Sequence, residues 1–295
     1  MSDPLRISLG TLQEGIVVDR PNRFVANVRL DVDSGGIPSG GVGGHGDGCP
    51  ACTRGIEVAC HVADSGRLKE LLFPGNRVMV RSVFEQPDGV AASPEGPKVS
   101  RRKGAEPRHC RKTSYDMVLA LHGNTWVSVD TRYPTRLFGQ ALRARAIPEF
   151  REYEVVRAEY PFHRLVKEPE GVRKTPRSRL DFYLEGDRVA PALVEVKSVT
   201  LCADGLGLFP DAPTDRGARH LGELQSAVGL GYRAFAVFIA QREDIVKVAP
   251  NRDTDPKFAS ALTEARDAGV CLLAYRCKVS PEAIVFEPTA IPVIA

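Results

Sequence analysis

The stretch that decides the fold is Arg179-Leu-Asp-Phe-Tyr-Leu-Glu-Gly-Asp-Arg-Val-Ala-Pro-Ala-Leu-Val-Glu-Val-Lys-Ser-Val-Thr200. Apolar side chains recur at every second position before the turn through Glu-Gly-Asp-Arg, at Leu180, Phe182 and Leu184. After the turn, valines again surround the polar residues. A period of two on both sides of a glycine-containing turn predicts a β-hairpin.

Three charged residues of this hairpin point to metal chemistry. Side chains two positions apart on a strand share a face, so Glu195 and Lys197 project together, and the partner strand can bring Asp181 beside them. Unpaired buried charges are expensive, whereas two carboxylates offer hard oxygen ligands to Mg²⁺ or Mn²⁺. We predict Asp181, Glu195 and Lys197 as catalytic residues, with the two carboxylates as metal ligands. The alternative is a solvated strand face, because Glu-x-Lys is common on strands.

Length and composition describe an ordinary globular chain. Its 295 residues are natural for two domains, and its 43% hydrophobic and 26% charged residues are typical of soluble proteins. The net charge of +3 does not indicate a partner. No apolar run approaches the roughly 18–20 residues of a membrane span, and residues 1–6 lack the pattern of a secretory signal. We expect a cytoplasmic or nucleoid-associated protein without a membrane partner.

The seven cysteines are scattered and odd in number, which favours reduced thiols over a disulfide framework. Cys49-x-x-Cys52 follows His45 closely and has the spacing of half a zinc site. One such pair without a second is a weak signal. We therefore expect loop cysteines here and not zinc.

The first part of the chain, residues 10–133, contains five or six short strand patterns. Only one short helix is predicted there, over residues 67–72, with Asp64 or Ser65 as its cap. Loop-like insertions rich in glycine and proline interrupt the strands near residues 31–55 and 85–108. This pattern predicts a small closed β-barrel of the OB type.

The second part, residues 134–295, alternates helices and strands. An amphipathic helix is predicted over 135–147, and the apolar run 234–240 is typical of a strand buried on both faces. Further helices are expected after Thr214 or Asp215 and after Asp255, which precedes a proline. The order predicts an α/β domain with a mixed sheet, and the whole chain an α+β protein of two domains.

Basic residues cluster in the predicted connections of the barrel and beside the hairpin. A basic groove is the usual way to hold a phosphate backbone, and the alternative is a solvated basic face. The candidate nucleic-acid-binding residues are Arg67, Lys69, Arg111, Lys112, Arg132, Arg136 and Arg179. The candidates for the shell around the metal ligands are Glu159, His220 and Gln241.

Several segments resemble the sugar fermentation stimulation protein A family. They are His61–Gly75, Arg111–Asp116, Val127–Thr131, Ser178–Phe182, Val194–Thr200, Phe209–Gly217 and His220–Leu224. The resemblance extends from about Gly15 to the C-terminus. Its most specific parts are the run Phe209–Gly217 and the sequence Glu-Val-Lys-Ser-Val-Thr that ends at Thr200.

The resemblance implies an OB-like N-terminal domain and a restriction-endonuclease-like C-terminal domain. The PD-(D/E)XK triad of such nucleases falls on Asp181, Glu195 and Lys197, with Leu180 in place of the proline. The family is regarded as DNA-binding and as a regulator of genes of sugar (maltose) metabolism. The two insertions depart from the family pattern in the barrel half, whereas the triad segment is intact.

Two functions from different classes follow. In the first, the protein is a nuclease that hydrolyses phosphodiesters with Mg²⁺ or Mn²⁺. In the second, it binds DNA without cleaving it and regulates sugar genes. No sequence-reading motif is visible, so DNA binding is expected to be largely independent of base sequence. RNA as a partner and a homodimer are left open.

Overall fold

The computed structural model describes residues 3–31, 55–83, 113–162 and 178–295. In these ranges the chain forms a β-barrel, a larger mixed sheet with helices on both faces, and a small third sheet. Cys49, Cys52, Arg111 and Lys112 lie outside the described residues, as do most of the two predicted insertions. The expectations attached to them stay predictions.

The barrel follows a short first strand, β1 (Arg6–Ser8). Its strands are β2 (Gln13–Asn22), β3 (Val25–Leu30), β4 (Glu57–Val62), β5 (Arg77–Ser82), β6 (Tyr115–His122) and β7 (Thr125–Ser128). They are ordered β4-β3-β2-β5-β6-β7, and β4 also pairs with β6, which closes five of them into a barrel. Buried side chains such as Val28, Val78 and Met117 fill the interior. The predicted OB-like barrel is confirmed.

The segment from Asp64 to Leu72 forms turns, so the helix predicted over 67–72 is wrong. Leu68, Leu71 and Leu72 have helical spacing, but all three are buried in the barrel core. Leu68 has a φ of 45°, in the left-handed region that interrupts a helix. In addition, the Arg20 guanidinium binds the carbonyl oxygens of Gly66 and Arg67, which a helix would need for its own hydrogen bonds.

The larger sheet has seven strands in the described part of the chain, ordered β1-β16-β15-β13-β10-β9-β8. Its strands besides β1 are β8 (Val155–Pro161), β9 (Arg179–Gly186), β10 (Val189–Val199), β13 (Arg233–Ala240), β15 (Cys271–Val279) and β16 (Ala283–Ile291). Strands β10, β13 and β15 are parallel and the other pairs antiparallel. The predicted hairpin and mixed sheet are confirmed.

A small sheet beside it contains β11 (Leu201–Ala203), β12 (Leu206–Phe209) and β14 (Lys247–Pro250). Strand β12 pairs with β11 antiparallel and with β14 parallel. It leads directly into the loop that precedes the second helix.

Helices cover both faces of the larger sheet. Helix α1 (Arg132–Arg143) packs on one face, and α2 (Asp215–Gly229) and α3 (Pro256–Asp267) pack on the other. A 3-10 turn follows α1 at Pro148–Phe150. Thr214 caps α2 by accepting the Gly217 N–H at 3.0 Å, and Asp255 caps α3 by accepting the Phe258 N–H at 2.9 Å. No helix in the described ranges is both long enough and apolar enough to cross a lipid bilayer.

Hydrogen bonds between the barrel and the larger sheet place one against the other. The N–H of Ser128, at the end of β7, donates to the carbonyl of Gln241 at 3.0 Å. Arg242 is fully buried and donates to the Thr200 carbonyl at 3.2 Å, and its Nη2 lies 2.9 Å from Nδ1 of His122 in the barrel. Burying an arginine is favourable only when its donors are satisfied, so these contacts fix the junction.

Candidate active site

The hairpin of β9 and β10 brings together the three charged residues predicted from the sequence. Val194 faces Phe182 across the antiparallel pair, and one oxygen of Asp181 accepts the backbone N–H of Val196 at 2.7 Å. Lys197 Nζ lies 2.7 Å from Glu195 Oε1. We refer to Asp181, Glu195 and Lys197 as the triad. The structure places its members together, and their roles stay predictions.

The triad does not lie on a solvated strand face. The side chains of Glu195 and Lys197 are only 6% and 11% exposed. His220 on α2 is buried beside them, and its Nδ1 contacts Glu195 Oε1. The other ring nitrogen, Nε2, accepts a hydrogen bond from Arg216 Nε at 3.4 Å. This pairing favours the tautomer that carries its proton on Nδ1 and donates it to Glu195.

The two carboxylates have opposite electrostatic environments. Burial, together with the nearby charge of Glu195, raises the pKa of Asp181 to about 7. Burial also disfavours the charged form of Glu195, but Lys197 and His220 outweigh it and hold the pKa of Glu195 below its ordinary value. Glu195 therefore stays ionised at neutral pH, whereas Asp181 keeps its proton to a higher pH than an ordinary carboxyl does.

The donors of the triad fit a divalent cation. Glu195 Oε2 is buried without a hydrogen-bond partner, while Oε1 is occupied by Lys197 and His220. A cation bound between the two carboxylates would give Oε2 a partner and offset the repulsion that raises the pKa of Asp181. No group of three His, Cys, Asp or Glu side chains in the described ranges forms a complete site. One or two carboxylates are nevertheless the usual protein share of a Mg²⁺ site at which substrate phosphates also bind.

The triad opens into a cleft of about 330 Å³ between the barrel and the larger sheet. The barrel contributes Arg23 at the β2–β3 turn and the segment Asp64–Gly66. The loop between β12 and α2, residues 208–214, forms another side together with Arg216. A site between two parts of the chain, lined by charged groups with perturbed pKa values, is where ligand binding is expected.

Two predicted neighbours of the triad lie farther from its centre than His220 does. Glu159, on the edge strand β8, has an exposed side chain that pairs with Arg179 at 3.4 Å. Its charge is one of the smaller influences that raise the pKa of Asp181. Gln241 is fully buried and its Nε2 donates to the Asp130 carbonyl at 3.3 Å, so this side chain belongs to the junction and not to the cleft lining.

The predicted nucleic-acid-binding residues differ in whether their charged groups already have carboxylate partners. Arg67, Lys69 and Arg136 are exposed and form no salt bridge within the described ranges. Arg132 instead binds both oxygens of Asp130, with Nη2 at 2.5 Å from Oδ2, and approaches Asp116 at 3.4 Å. These hydrogen bonds raise the pKa of Arg132 above its ordinary value. We call Asp116, Asp130 and Arg132 the Arg132 cluster, in which the arginine has carboxylate partners already.

Sequence analysis missed four charged residues of the cleft, namely Arg23, Asp64, Asp211 and Arg216. Asp211 connects the two parts of the chain by accepting the Leu68 N–H at 2.9 Å. It also packs on Gly66, where a Cβ would lie 2.5 Å from its carboxylate oxygens. The run Phe209–Gly217 contains both Asp211 and Arg216 and carries the family resemblance. It was therefore the signal in the sequence that could have pointed to these two residues.

Two family models match the chain. Residues 132–283 match the one described as the sugar fermentation stimulation protein RE domain, and residues 18–89 match the SfsA N-terminal OB domain. The chain belongs to the sugar fermentation stimulation protein family. Membership agrees with the resemblance of the segments around the triad and of the run Phe209–Gly217.

Curated relatives of this family cover most of the chain. A sugar fermentation stimulation protein homolog of Moorella thermoacetica is 43% identical over 231 residues, which cover 78% of this chain and 84% of the relative. A homolog of Desulforamulus reducens is 38% identical over 276 residues, covering 94% and 90%. A homolog of Symbiobacterium thermophilum is 40% identical over 273 residues, covering 91% and 89%.

A solved structure shares the fold over the full length of both chains. It is SfsA of Pyrococcus furiosus in complex with Ca²⁺, with a TM-score of 0.70 and 23% sequence identity. At this identity the likeness establishes the fold, namely an OB-like barrel joined to a mixed sheet with helices on both faces.

Proposed function

We propose that this family member is a divalent-cation-dependent nuclease whose C-terminal part is a restriction-endonuclease-like domain of the PD-(D/E)XK kind. The observation that supports it best is the buried Glu195 Oε2 that lacks a partner beside a second carboxylate with a raised pKa. Such an oxygen can accept a bond from a ligand without giving up an existing partner. The triad lies in a cleft between the two parts of the chain, and SfsA of Pyrococcus furiosus was solved with Ca²⁺ bound.

Each triad residue has a separate task in this proposal. Asp181 and Glu195 hold the cation, and His220 holds Glu195 so that Oε2 faces it. A bound divalent cation supplies Lewis acidity and offsets the charge of the phosphate. Lys197 carries its ammonium group into the same cleft, where it orients the attacking water and stabilises the charge that develops on the phosphate.

DNA is the proposed substrate class because the cleft and its surroundings carry basic groups that form no salt bridge within the described ranges. Arg23 and Arg216 line the cleft, and Arg67 and Lys69 are exposed on the neighbouring segment of the barrel. Contacts of arginine and lysine with phosphates are independent of base sequence and weaken with rising salt. We therefore expect cleavage with little sequence preference. A flat response of DNA affinity to salt would contradict these phosphate contacts.

The test is a cleavage assay with matched variants. The parent protein, Asp181→Ala and Asp187→Ala are incubated with plasmid, linear single-stranded DNA or RNA in Mg²⁺, Mn²⁺ or EDTA. Asp187 is an exposed carboxylate at the turn of the same hairpin, so its variant controls for charge and handling. We expect cleavage by the parent and by Asp187→Ala with metal, and none by Asp181→Ala or in EDTA. Equal cleavage by Asp181→Ala would overturn the proposal.

A second candidate is a DNA-binding regulator of sugar metabolism genes that does not cleave. The family name supports a link with sugar utilisation, and the described residues offer only two carboxylates to a metal instead of a complete set. In the same assay this candidate predicts nucleic acid that is bound and shifted on a gel but uncut under every condition. We rank this candidate second because a protein that only binds DNA has no need of two buried carboxylates that repel each other, as Asp181 and Glu195 do.

A further inference from the structure

The barrel side of the cleft carries an arginine that faces the triad from across the cleft. Arg23 lies at the turn between β2 and β3 and lines the same cleft as Asp181 and Lys197. Its Nη1 is 3.5 Å from the Ser65 carbonyl, at the limit of a hydrogen bond. No salt bridge to Arg23 is found in the described ranges, so its charge is available to a ligand.

The turn that carries Arg23 is fixed in place before any ligand binds. Arg20 Nη2 donates to the carbonyl of Arg23 at 2.8 Å and to that of Gly66 at 3.1 Å. Asn22 accepts the N–H of Phe24 at 2.9 Å, and the Phe24 carbonyl accepts the N–H of Val62 at 2.9 Å. A surface that is already ordered loses little entropy when it binds, which is how a binding site gains affinity.

The residue after Arg23 in the sequence, Phe24, carries an exposed aromatic ring. The side chain of Phe24 is 51% exposed, although a large apolar ring is usually better covered. An exposed ring at the mouth of a turn that also carries an arginine is a combination with which proteins hold single-stranded nucleic acid, and Phe24 follows Arg23 directly in the sequence. The arginine binds a backbone phosphate, and a base stacks on the ring without regard to its identity. A base offers its flat face to an aromatic ring only when it is not stacked between the neighbouring bases of a duplex.

The size of the cleft also favours a single strand. Its volume of about 330 Å³ is at the lower end of the range for small-molecule pockets. One groove of duplex DNA is wide enough to hold a whole α-helix of about 10–12 Å diameter. A single chain of phosphates and sugars therefore fits this space more readily than a duplex does.

We infer that the cleft takes single-stranded DNA, with Arg23 holding a phosphate from the barrel side and Phe24 stacking on a neighbouring base. This inference rests on the proposed function and names its substrate. It assigns the barrel a direct part in binding at the triad, because the strand passes between the two.

Binding is measured by fluorescence anisotropy with a labelled oligonucleotide of about 15 nucleotides, single-stranded or in a blunt duplex of the same sequence. The variants are Arg23→Ala, Phe24→Ala, Arg188→Ala and Phe73→Ala, each in an Asp181→Ala background that prevents cleavage. Arg188 is exposed at another hairpin turn, roughly 25–30 Å from Lys197 along β10, and Phe73 is an exposed ring elsewhere on the barrel. Cleavage of both oligonucleotides by proteins with an intact triad is recorded in parallel.

We expect tighter binding of the single strand, about tenfold weaker binding for Arg23→Ala and for Phe24→Ala, and no change for the two controls. Equal or tighter binding of the duplex, or an unchanged affinity of both barrel variants, overturns the inference. If the protein cleaves the duplex with metal and Phe24→Ala cleaves it equally well, the single-strand inference is overturned while the proposed nuclease function is supported. Selective binding of the single strand without any cleavage would support this site and overturn the nuclease.

Discussion

The Arg132 cluster and the triad both combine buried carboxylates with basic side chains. They differ in how completely the carboxylate oxygens have hydrogen-bond partners. In the Arg132 cluster, one guanidinium binds both oxygens of the buried Asp130 and also approaches Asp116. In the triad, Lys197 and His220 share a single oxygen of Glu195 and leave the other without a partner. The difference shows that burial of charge alone does not mark a functional site. We base the proposed site on the unsatisfied oxygen beside a second carboxylate, because this pair leaves a place for a ligand.

The largest effect is expected when the triad loses a carboxylate. Asp181→Ala removes one of two proposed metal ligands and should slow metal-dependent cleavage by at least about a hundredfold. The fold should be retained, because repulsion of Glu195 is removed along with the single hydrogen bond to Val196. Cleavage rates and thermal unfolding of the same preparations check both parts. A variant that unfolds and loses activity together would make the triad a structural element like the Arg132 cluster.

A smaller effect is expected when Glu195 loses its support. His220→Ala leaves Glu195 Oε1 with Lys197 alone, so the carboxylate can turn away from the cation. We expect about thirtyfold weaker binding of Mn²⁺, measured by calorimetry, because groups that orient metal ligands contribute tenfold to a hundredfold in affinity. His220→Asn retains a donor and should recover part of the loss. Unchanged Mn²⁺ affinity in His220→Ala would show that Glu195 needs no positioning.

The Arg132 cluster should respond in stability and not in chemistry. Asp130→Ala removes a buried carboxylate and leaves Arg132, whose side chain is 56% exposed, without its main partner. Because solvent reaches the arginine, we expect the free energy of unfolding to fall by about 2 kcal/mol, less than for a fully buried pair. Urea unfolding measures this change. The cleavage rate per folded molecule should match the parent, and a large loss would mean that the comparison between the two clusters is mistaken.

The smallest effect concerns Asp64, which faces the cleft without belonging to either cluster. Burial raises its pKa to about 6, against the opposing hydrogen bond from the Gly66 N–H, and Asp211 adds to the rise. The folded protein thus holds this proton more tightly than the unfolded chain, so the free energy of unfolding falls as pH rises from about 4 to about 6. Above about pH 6 the contribution of Asp64 no longer changes, and the free energy of unfolding stays lowered by a constant amount.

Asp64→Asn keeps an oxygen for the Gly66 N–H and removes the charge. Above pH 6 it should raise the free energy of unfolding by about 1 kcal/mol, after allowance for solvent at the partly exposed side chain, and below pH 4 it should have no effect. Thermal unfolding in EDTA across this pH range measures the difference. A stabilisation that is equal at low and high pH would exclude a raised pKa as its source.

Local patterns were sufficient for the elements that carry their own periodicity. The alternation around Leu180 and Phe182 predicted the hairpin, and the uniformly apolar run 234–240 predicted a strand buried on both faces, β13. The caps Thr214 and Asp255 predicted two helix starts. Each of these signals lies within a few residues of the feature that it determines, which is why sequence alone could predict it.

Contacts between distant parts of the chain left no such signal. Arg23 enters the cleft from the barrel, and Asp211 accepts the N–H of Leu68 from 143 residues away. The leucines of the 68–72 segment had helical spacing, yet Arg20 takes the carbonyl groups that a helix would use. Tertiary hydrogen bonds of this kind override local propensity, and they are visible only once the barrel and sheet are placed together.

The short strand β1 has a consequence for how the chain could be divided. It pairs with β16 at the edge of the larger sheet, with Ile7 opposite Ile284, before the chain leaves to build the barrel and returns to this sheet as α1 and then β8. The barrel is thus an insert, tethered to the larger sheet at both its ends. A fragment that begins after the barrel would expose the edge of β16 and uncover the contacts of Ile7 and Leu9, which invites edge-to-edge association. Biochemical dissection of the cleft should therefore use substitutions in the intact chain, or a fragment in which residues 3–9 are linked directly to the start of α1 so that this helix keeps covering the sheet.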